Sequence, residues 1–158
     1  MTTDVVAKNP TEKPASERSV ALVCANFNMQ SAFGVLTLAL NSARLGYRTA
    51  VYFTFEGLNM LRPGFLKGLR YYPTGVCPAQ PEVEKHTMEL RELMDKRDIP
   101  YCEDMLQMAQ YEGVKFLACK TSVELFNLGL DDLIPHVEIM NAEDFMRKAV
   151  DSDLHMMM

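Results

Sequence analysis

The chain has 158 residues, and 48% of them are hydrophobic, which is enough for one domain with a substantial core. The formal net charge is −5. Proteins that bind nucleic acid need clustered Lys and Arg to neutralise phosphates, and this sequence has no such cluster. We therefore expect a single folded domain that does not bind nucleic acid.

The two ends of the chain differ from the middle. Residues 1–18 are rich in Pro, Thr, Lys and Glu and contain no apolar run of signal-peptide length, so we expect a flexible N-terminal tail. The longest apolar region, residues 32–43, is interrupted by polar residues and is too short to span a bilayer. We expect a cytoplasmic protein without a transmembrane segment, whose domain covers residues 19–151 and whose residues 152–158 form a frayed C-terminal tail.

The first half of the domain reads as strand, helix, strand. Residues 19–25, SVALVCA, form a short, almost wholly apolar run that suits a central parallel strand. Residues 31–45 follow as a helix that Gly46 ends, and residues 47–55, YRTAVYFTF, are β-branched and aromatic. A helix between two neighbouring strands makes a crossover connection, so the two strands should be parallel.

The second half continues the alternation after a long segment, residues 63–81, that is rich in Pro and Gly. A loop of this length is uncommon in a compact domain unless it is functional, mobile or an oligomer contact. Further helices are predicted at 81–98, 103–111, 121–129 and 142–153, and further strands at 114–119 and 137–141. The pattern predicts the α/β class: a single three-layer, flavodoxin-like domain with a mostly parallel sheet of four to five strands.

One cysteine stands where such folds place their ligands, at the carboxyl end of a strand. The strand at 114–119 ends on Cys119, and Lys120, Thr121 and Ser122 would begin the next helix. Free N–H groups at the start of that helix and the charge of Lys120 would both favour a thiolate, which is the nucleophilic form. Free cysteine is also among the most buried residue types, so Cys119 could equally be part of the core.

The other polar groups suggest less chemistry. Cys24 also follows a strand but is better explained as a core residue, Cys102 has acidic neighbours that disfavour a thiolate, and Cys77 lies in the long loop. Glu56 follows the second strand and is a possible proton acceptor near the same sheet edge. The cysteines have no C-x-x-C spacing and the histidines no ligand pattern, so we expect neither a metal site nor a cofactor.

Two segments resemble a known family. Residues 52–61, YFTFEGLNML, and residues 98–134, DIPYCEDMLQMAQYEGVKFLACKTSVELFNLGLDDLI, are similar to the DsrE/DsrF-like family of sulfur-relay proteins, in particular its peroxiredoxin-like branch. The resemblance implies a small homo-oligomeric α/β protein of DsrE-like fold that carries sulfane sulfur on a cysteine, and the matching position is Cys119. It also implies partners that give and receive sulfur, such as a rhodanese and a TusA-type carrier. Relatives often have a Met-rich segment after this cysteine, whereas this chain has KTSVELFNL.

These observations support three hypotheses. The first is a cytoplasmic sulfur carrier or sulfurtransferase that holds a persulfide or thiosulfonate on Cys119, with Lys120, Thr121 and Ser122 shaping the site. The second is a non-catalytic oligomeric binding or assembly protein of the same fold, in which Cys119 is buried. The third, a flavodoxin-like module that binds a nucleotide or flavin, lacks a phosphate-binding sequence.

Overall fold

The computed structural model describes residues 13–73 and 79–158. Five parallel strands form one sheet in the order β4-β3-β2-β1-β5. The strands are β1 (Ser19–Cys24), β2 (Arg48–Phe53), β3 (Lys115–Cys119), β4 (Val137–Met140) and β5 (Leu154–Met157). The α-helices are α1 (Met29–Arg44), α2 (Gln80–Lys96), α3 (Cys102–Tyr111), α4 (Lys120–Leu125) and α5 (Ala142–Val150).

The order of the strands places helices on both faces of the sheet. Strands β1 to β4 are added in one direction, and the chain then crosses back to lay β5 on the other side of β1. Since crossover connections are right-handed, this reversal puts α5 on the face opposite to α1. The predicted α/β domain with a parallel sheet is therefore confirmed, and the sheet has five strands.

The two faces carry cores of different size. Alternation along the strands sends Leu22, Phe53 and Phe116 to the larger core, which also contains α1 and α3. The smaller core lies under α5 and joins residues of three strands to two residues of that helix. Its buried members are Ala21, Tyr52, Leu117, Cys119, Phe145 and Ala149. Because Ala118 faces the larger core, its neighbour Cys119 faces the smaller one.

The C-terminal residues differ from the sequence-based prediction. We expected residues 152–158 to be a frayed tail, but Leu154–Met157 form β5 and pair with β1. Met158 extends this pairing, since its N–H donates to the carbonyl of Val23 at 2.8 Å. The sequence of this edge strand shows no clear alternation of apolar and polar residues. Main-chain hydrogen bonds to β1 hold the strand in the sheet instead.

The structure describes part of the N-terminal segment and part of the long loop. Of the expected N-terminal tail, residues 1–12 lie outside the described residues, and Ala15–Glu17 form a short 3-10 helix. In the loop at 63–81, Leu66 and Leu69 are buried in the larger core, whereas residues 74–78, including Cys77, lie outside the described residues. Within the described ranges, no helix is both long and apolar enough to cross a membrane.

Candidate functional site

The site is centred on Cys119, at the carboxyl end of β3 and at the first turn of α4. Strand β2 lies beside β3, with Tyr52 paired to Leu117 and Phe53 paired to Ala118. This register brings Thr54, which follows β2, next to Cys119. The sulfur therefore lies between the end of β2 and the start of α4, on the face of the sheet that α5 covers.

Hydrogen-bond donors surround the Cys119 sulfur. Burial by itself raises the pKa of this thiol, but the hydroxyls of Ser122, Tyr52 and Thr54 and the backbone N–H of Ser122 donate to the sulfur and lower its pKa to about 7. Hydrogen bonds to the charged form favour that form. A substantial fraction of Cys119 is therefore thiolate at neutral pH, although the residue is only 5% exposed.

Ser122 occupies the centre of this arrangement. Its hydroxyl oxygen accepts a hydrogen bond from the backbone N–H of Phe55 at 2.7 Å and lies 3.3 Å from the Thr54 hydroxyl. A serine hydroxyl has two lone pairs and one proton, so the bond accepted from Phe55 does not use the proton that Ser122 can donate. The chain thus uses a backbone group after β2 to orient a donor at the start of α4.

Tyr52 provides a donor from the neighbouring strand. Burial first, and then its hydrogen bond to Cys119, raise the pKa of the Tyr52 phenol far above its ordinary value, so the group stays protonated. Its hydroxyl also lies 3.4 Å from the carbonyl oxygen of Met140, and its single proton can serve only one acceptor at a time. The ring stacks on Phe145 of α5 with centroids 4.2 Å apart, which fixes the ring above the sheet.

The residues predicted after Cys119 divide into two groups. Ser122 is buried and contacts the sulfur, whereas Lys120 and Thr121 are exposed. The Lys120 ammonium lies 3.9 Å from a carboxylate oxygen of Glu124. Helix α4 has only six residues, so its dipole is small, and the groups that lower the Cys119 pKa are neutral hydrogen-bond donors.

The secondary candidates are not assembled with Cys119. Cys24 is fully buried in the larger core, on the opposite face of the sheet, with its sulfur 3.5 Å from that of Met60. Burial raises the Cys24 pKa to about 11, and burial together with Glu103 raises the Cys102 pKa to about 12. Glu56 is exposed on the 3-10 helix Phe55–Leu61.

The sequence pattern does not identify two members of the site, Tyr52 and Thr54. Both belong to a run that reads as an apolar, aromatic strand, and neither lies near Cys119 in the chain. Their separation of two residues does place them on one face of a strand. This spacing predicts that the two residues lie near Cys119 only when the order of the strands is known, because β2 must lie beside β3.

The site consists of hydroxyls, one thiol and one backbone N–H, and it contains no imidazole or carboxylate. Among the described residues, no group of three or more His, Cys, Asp or Glu side chains is arranged to hold a metal ion. The arrangement is suited to stabilising a small sulfur anion through hydrogen bonds.

Comparison with known proteins assigns the chain to a family. The sequence profile of the DsrE/DsrF/DrsH-like family matches residues 16–157. The sulfur carrier protein DsrE2 of Allochromatium vinosum is 25% identical over 154 residues, a match that covers 87% of this chain and 96% of that protein.

Two solved structures share the fold. The ychN protein from E. coli matches with a TM-score of 0.58 and 16% identity, covering 89% of this chain and 99% of its own. A conserved protein of unknown function, BT1422 from Bacteroides thetaiotaomicron, matches with a TM-score of 0.52 and 9% identity, covering 92% and 99%. Because the family profile spans nearly the whole described chain, this protein belongs to the DsrE/DsrF/DrsH-like family.

Proposed function

We propose that this protein is a sulfur carrier that accepts sulfane sulfur on Cys119 and passes it to a partner. The observation that carries the proposal is the set of donors from Ser122, Tyr52 and Thr54 around the sulfur, which lowers the Cys119 pKa to about 7. Membership of the family and the similarity to a protein named as a sulfur carrier support the same function.

The transfer is an exchange between a thiolate and a persulfide. The Cys119 thiolate attacks the outer sulfur of a donor persulfide, R–S–SH, and a new S–S bond forms as the donor's S–S bond breaks. The donor leaves as the thiolate R–S⁻, and Cys119 becomes the persulfide Cys119–S–SH, so atoms and charge balance without an added oxidant. The hydroxyls that stabilise the first thiolate are placed to stabilise the anion of the product as well.

The proposal extends to the cellular setting. A reducing compartment such as the cytoplasm would keep the cysteines free, and Cys24, Cys102 and Cys119 are free in the structure. We propose a rhodanese or a TusA-type carrier as donor or acceptor. We also propose a homo-oligomer with contacts from the loop around Phe65, which light scattering at micromolar concentration would detect.

The roles of the neighbouring residues follow from their positions. Ser122 is a direct donor to the sulfur. Lys120 and Thr121 are exposed in the first turn of α4, where a lysine could attract a larger anionic adduct such as a thiosulfonate. Cys24 and Glu56 would have no part in the first transfer, because Cys24 faces the opposite side of the sheet and Glu56 is exposed on the 3-10 helix.

The experiment is intact mass spectrometry after brief treatment with glutathione persulfide. Wild-type protein should gain the mass of one sulfur atom, and Cys119→Ser should gain none. Cys102→Ser is the matched control, because Cys102 is a buried cysteine whose pKa is raised, and it should load like wild type. Equal loading of Cys119→Ser and wild type would reject the proposal.

A second candidate function rests on the burial of the thiol. Cys119 is only 5% exposed, which is compatible with a non-catalytic binding or assembly protein in which the cysteine only packs. That function does not require a lowered thiol pKa. Absence of sulfur on every cysteine after persulfide treatment, with the fold intact, would favour it.

A further inference from the structure

Two exposed aromatic residues follow the two elements that hold the Cys119 site. Phe55, just after β2, is 54% exposed, and Phe126, just after α4, is 38% exposed. Their ring centroids are 5.9 Å apart, so they form one patch, and Leu125 next to it is also exposed. We call Phe55 and Phe126 the aromatic patch. Neighbouring exposed aromatics are unusual on a surface without a partner, because burying them on binding is favourable.

The backbone of Phe55 is held in an uncommon conformation. Its φ is +47°, in the left-handed region that bulky residues rarely adopt. The Phe55 N–H donates to the Ser122 hydroxyl oxygen at 2.7 Å, and Ser122 is one of the residues that lower the Cys119 pKa. The hydrogen bond to Ser122 therefore ties the backbone of Phe55 to a residue of the Cys119 site, and with it the position from which the exposed Phe55 ring projects.

Carboxylates lie close to the aromatic patch in the chain. Glu56 is next to Phe55, Glu124 lies in the last turn of α4, and Asp131 and Asp132 follow on the 3-10 helix Leu130–Asp132; all four are exposed. Lys120 is a cation on the same helix and its ammonium is 3.9 Å from Glu124, so it offsets one of these four charges and leaves three carboxylates in excess. We call these four carboxylates the acidic rim. Such a rim attracts a basic surface and repels an acidic one.

We propose that the aromatic patch and its acidic rim form the docking surface for a sulfur-donor protein whose persulfide lies on a short apolar segment flanked by Lys or Arg. This inference rests on Cys119 being the sulfur acceptor. Apolar residues of the donor cover Phe55 and Phe126, its basic residues face the acidic rim, and its persulfide is held near the end of β3. Docking at this surface brings the sulfur to a thiol that is largely buried.

The test uses two synthetic peptides as donors. Each carries one cysteine persulfide between two leucines; one peptide is flanked by lysines and the other by glutamates. Glutathione persulfide is the small reference donor. Mass spectrometry follows the rate at which Cys119 gains sulfur from each donor. The rate with each peptide is then divided by the rate with glutathione persulfide.

In wild type we expect the lysine peptide to load Cys119 about tenfold faster than the glutamate peptide, with a smaller difference at high salt. In Phe55→Ser/Phe126→Ser, the ratio for the lysine peptide should fall about tenfold. Phe126→Ser alone leaves the Phe55 backbone in place and should lower the ratio in the same direction. The control Leu45→Ser/Tyr111→Ser removes two exposed apolar residues elsewhere and should keep the wild-type ratio.

Several results would overturn this inference. Equal rates for the two peptides, or an unchanged ratio in both patch variants, would reject the docking surface while leaving Cys119 as an acceptor of small donors. Dissociation of an oligomer in Phe126→Ser, seen by light scattering, would assign the patch to a second copy of this chain instead. Failure of glutathione persulfide to load wild-type Cys119 would reject the proposed function and this inference with it.

Discussion

At the scale of residues, exposure does not distinguish the three cysteines that the structure describes, but their hydrogen bonds do. Cys24, Cys102 and Cys119 are 0%, 3% and 5% exposed, so all three are buried. The pKa is raised at the first two and lowered to about 7 at Cys119. Burial acts in the same direction on all three thiols, and the difference comes from the hydroxyls that converge on Cys119.

The contribution of Tyr52 can be isolated because Phe differs from Tyr only by the hydroxyl. Tyr52→Phe keeps the ring that stacks on Phe145 and removes one donor to the sulfur. We expect the pH midpoint of Cys119 alkylation to lie near 7 in wild type and to rise by about one unit in Tyr52→Phe. The measurement is the iodoacetamide rate as a function of pH, quantified on the Cys119 peptide.

The direction of this shift follows from the charge on the sulfur. A donor stabilises thiolate more than thiol, so its loss raises the pKa, and less thiolate is present at pH 7. Tyr47→Phe is the control. Tyr47 lies at the amino end of β2, whereas Cys119 lies near its carboxyl end, so this change should leave the midpoint unchanged. A midpoint in Tyr52→Phe equal to that of wild type would show that the phenol does not stabilise the thiolate.

The sequence predicts Cys119 and Ser122 as site residues but not Tyr52 and Thr54. Cys119 and Ser122 are close in the chain, and both belong to one strand-to-helix junction. Tyr52 and Thr54 join them through the pairing of β2 with β3, more than 60 residues away in the chain. Pairing between distant strands depends on the whole sheet and is not encoded in any local pattern.

At the scale of elements, the turn after β2 depends on one glycine. A Cβ on Gly57 would lie 2.2 Å from the carbonyl oxygen of Cys24, which is main chain and cannot rotate away. The Gly57 N–H also donates to the carbonyl of Ala25 at 3.1 Å. This close approach holds the 3-10 helix Phe55–Leu61 against the end of β1 and thereby fixes Phe55, whose N–H orients Ser122.

We therefore expect Gly57→Ala to destabilise the fold by about 1–3 kcal/mol, because the added methyl group forces the backbone apart. Urea unfolding at a fixed protein concentration measures the change. Gly68→Ala is the matched control, since a Cβ at Gly68 would meet nothing within 4 Å and that glycine also belongs to a 3-10 helix. Equal urea midpoints for the two variants would contradict the close approach at Gly57.

Most helices and strands could be predicted from the sequence, because their signals are local. The apolar run at β1, the helix before Gly46 and the strand ending at Cys119 all lie within a few residues of their predicted bounds. Strand β5 could not be predicted in the same way. Its four residues are all exposed, so the inside-outside alternation that marks a strand is absent.

At the scale of the whole molecule, the reversal of strand order creates the site. Of the helices that the structure describes, α5 covers the face of the sheet opposite to α1, and Cys119, Tyr52 and Phe145 meet there. The sequence predicts a parallel sheet but not which strands are central, because that order depends on how β5 returns to β1. The chemistry at Cys119 is thus a property of the complete fold as well as of the residues beside it.

The central claim, that Cys119 is the sulfur acceptor, is tested most directly by mapping sulfur in the unmodified protein. Wild type is treated at pH 7 with less than one equivalent of glutathione persulfide, blocked with iodoacetamide and digested for tandem mass spectrometry. All four cysteines then compete for a limited supply of sulfur. The extra sulfur is predicted on the peptide that contains Cys119, whereas its appearance mainly on the peptide of Cys24, Cys77 or Cys102 would contradict the account.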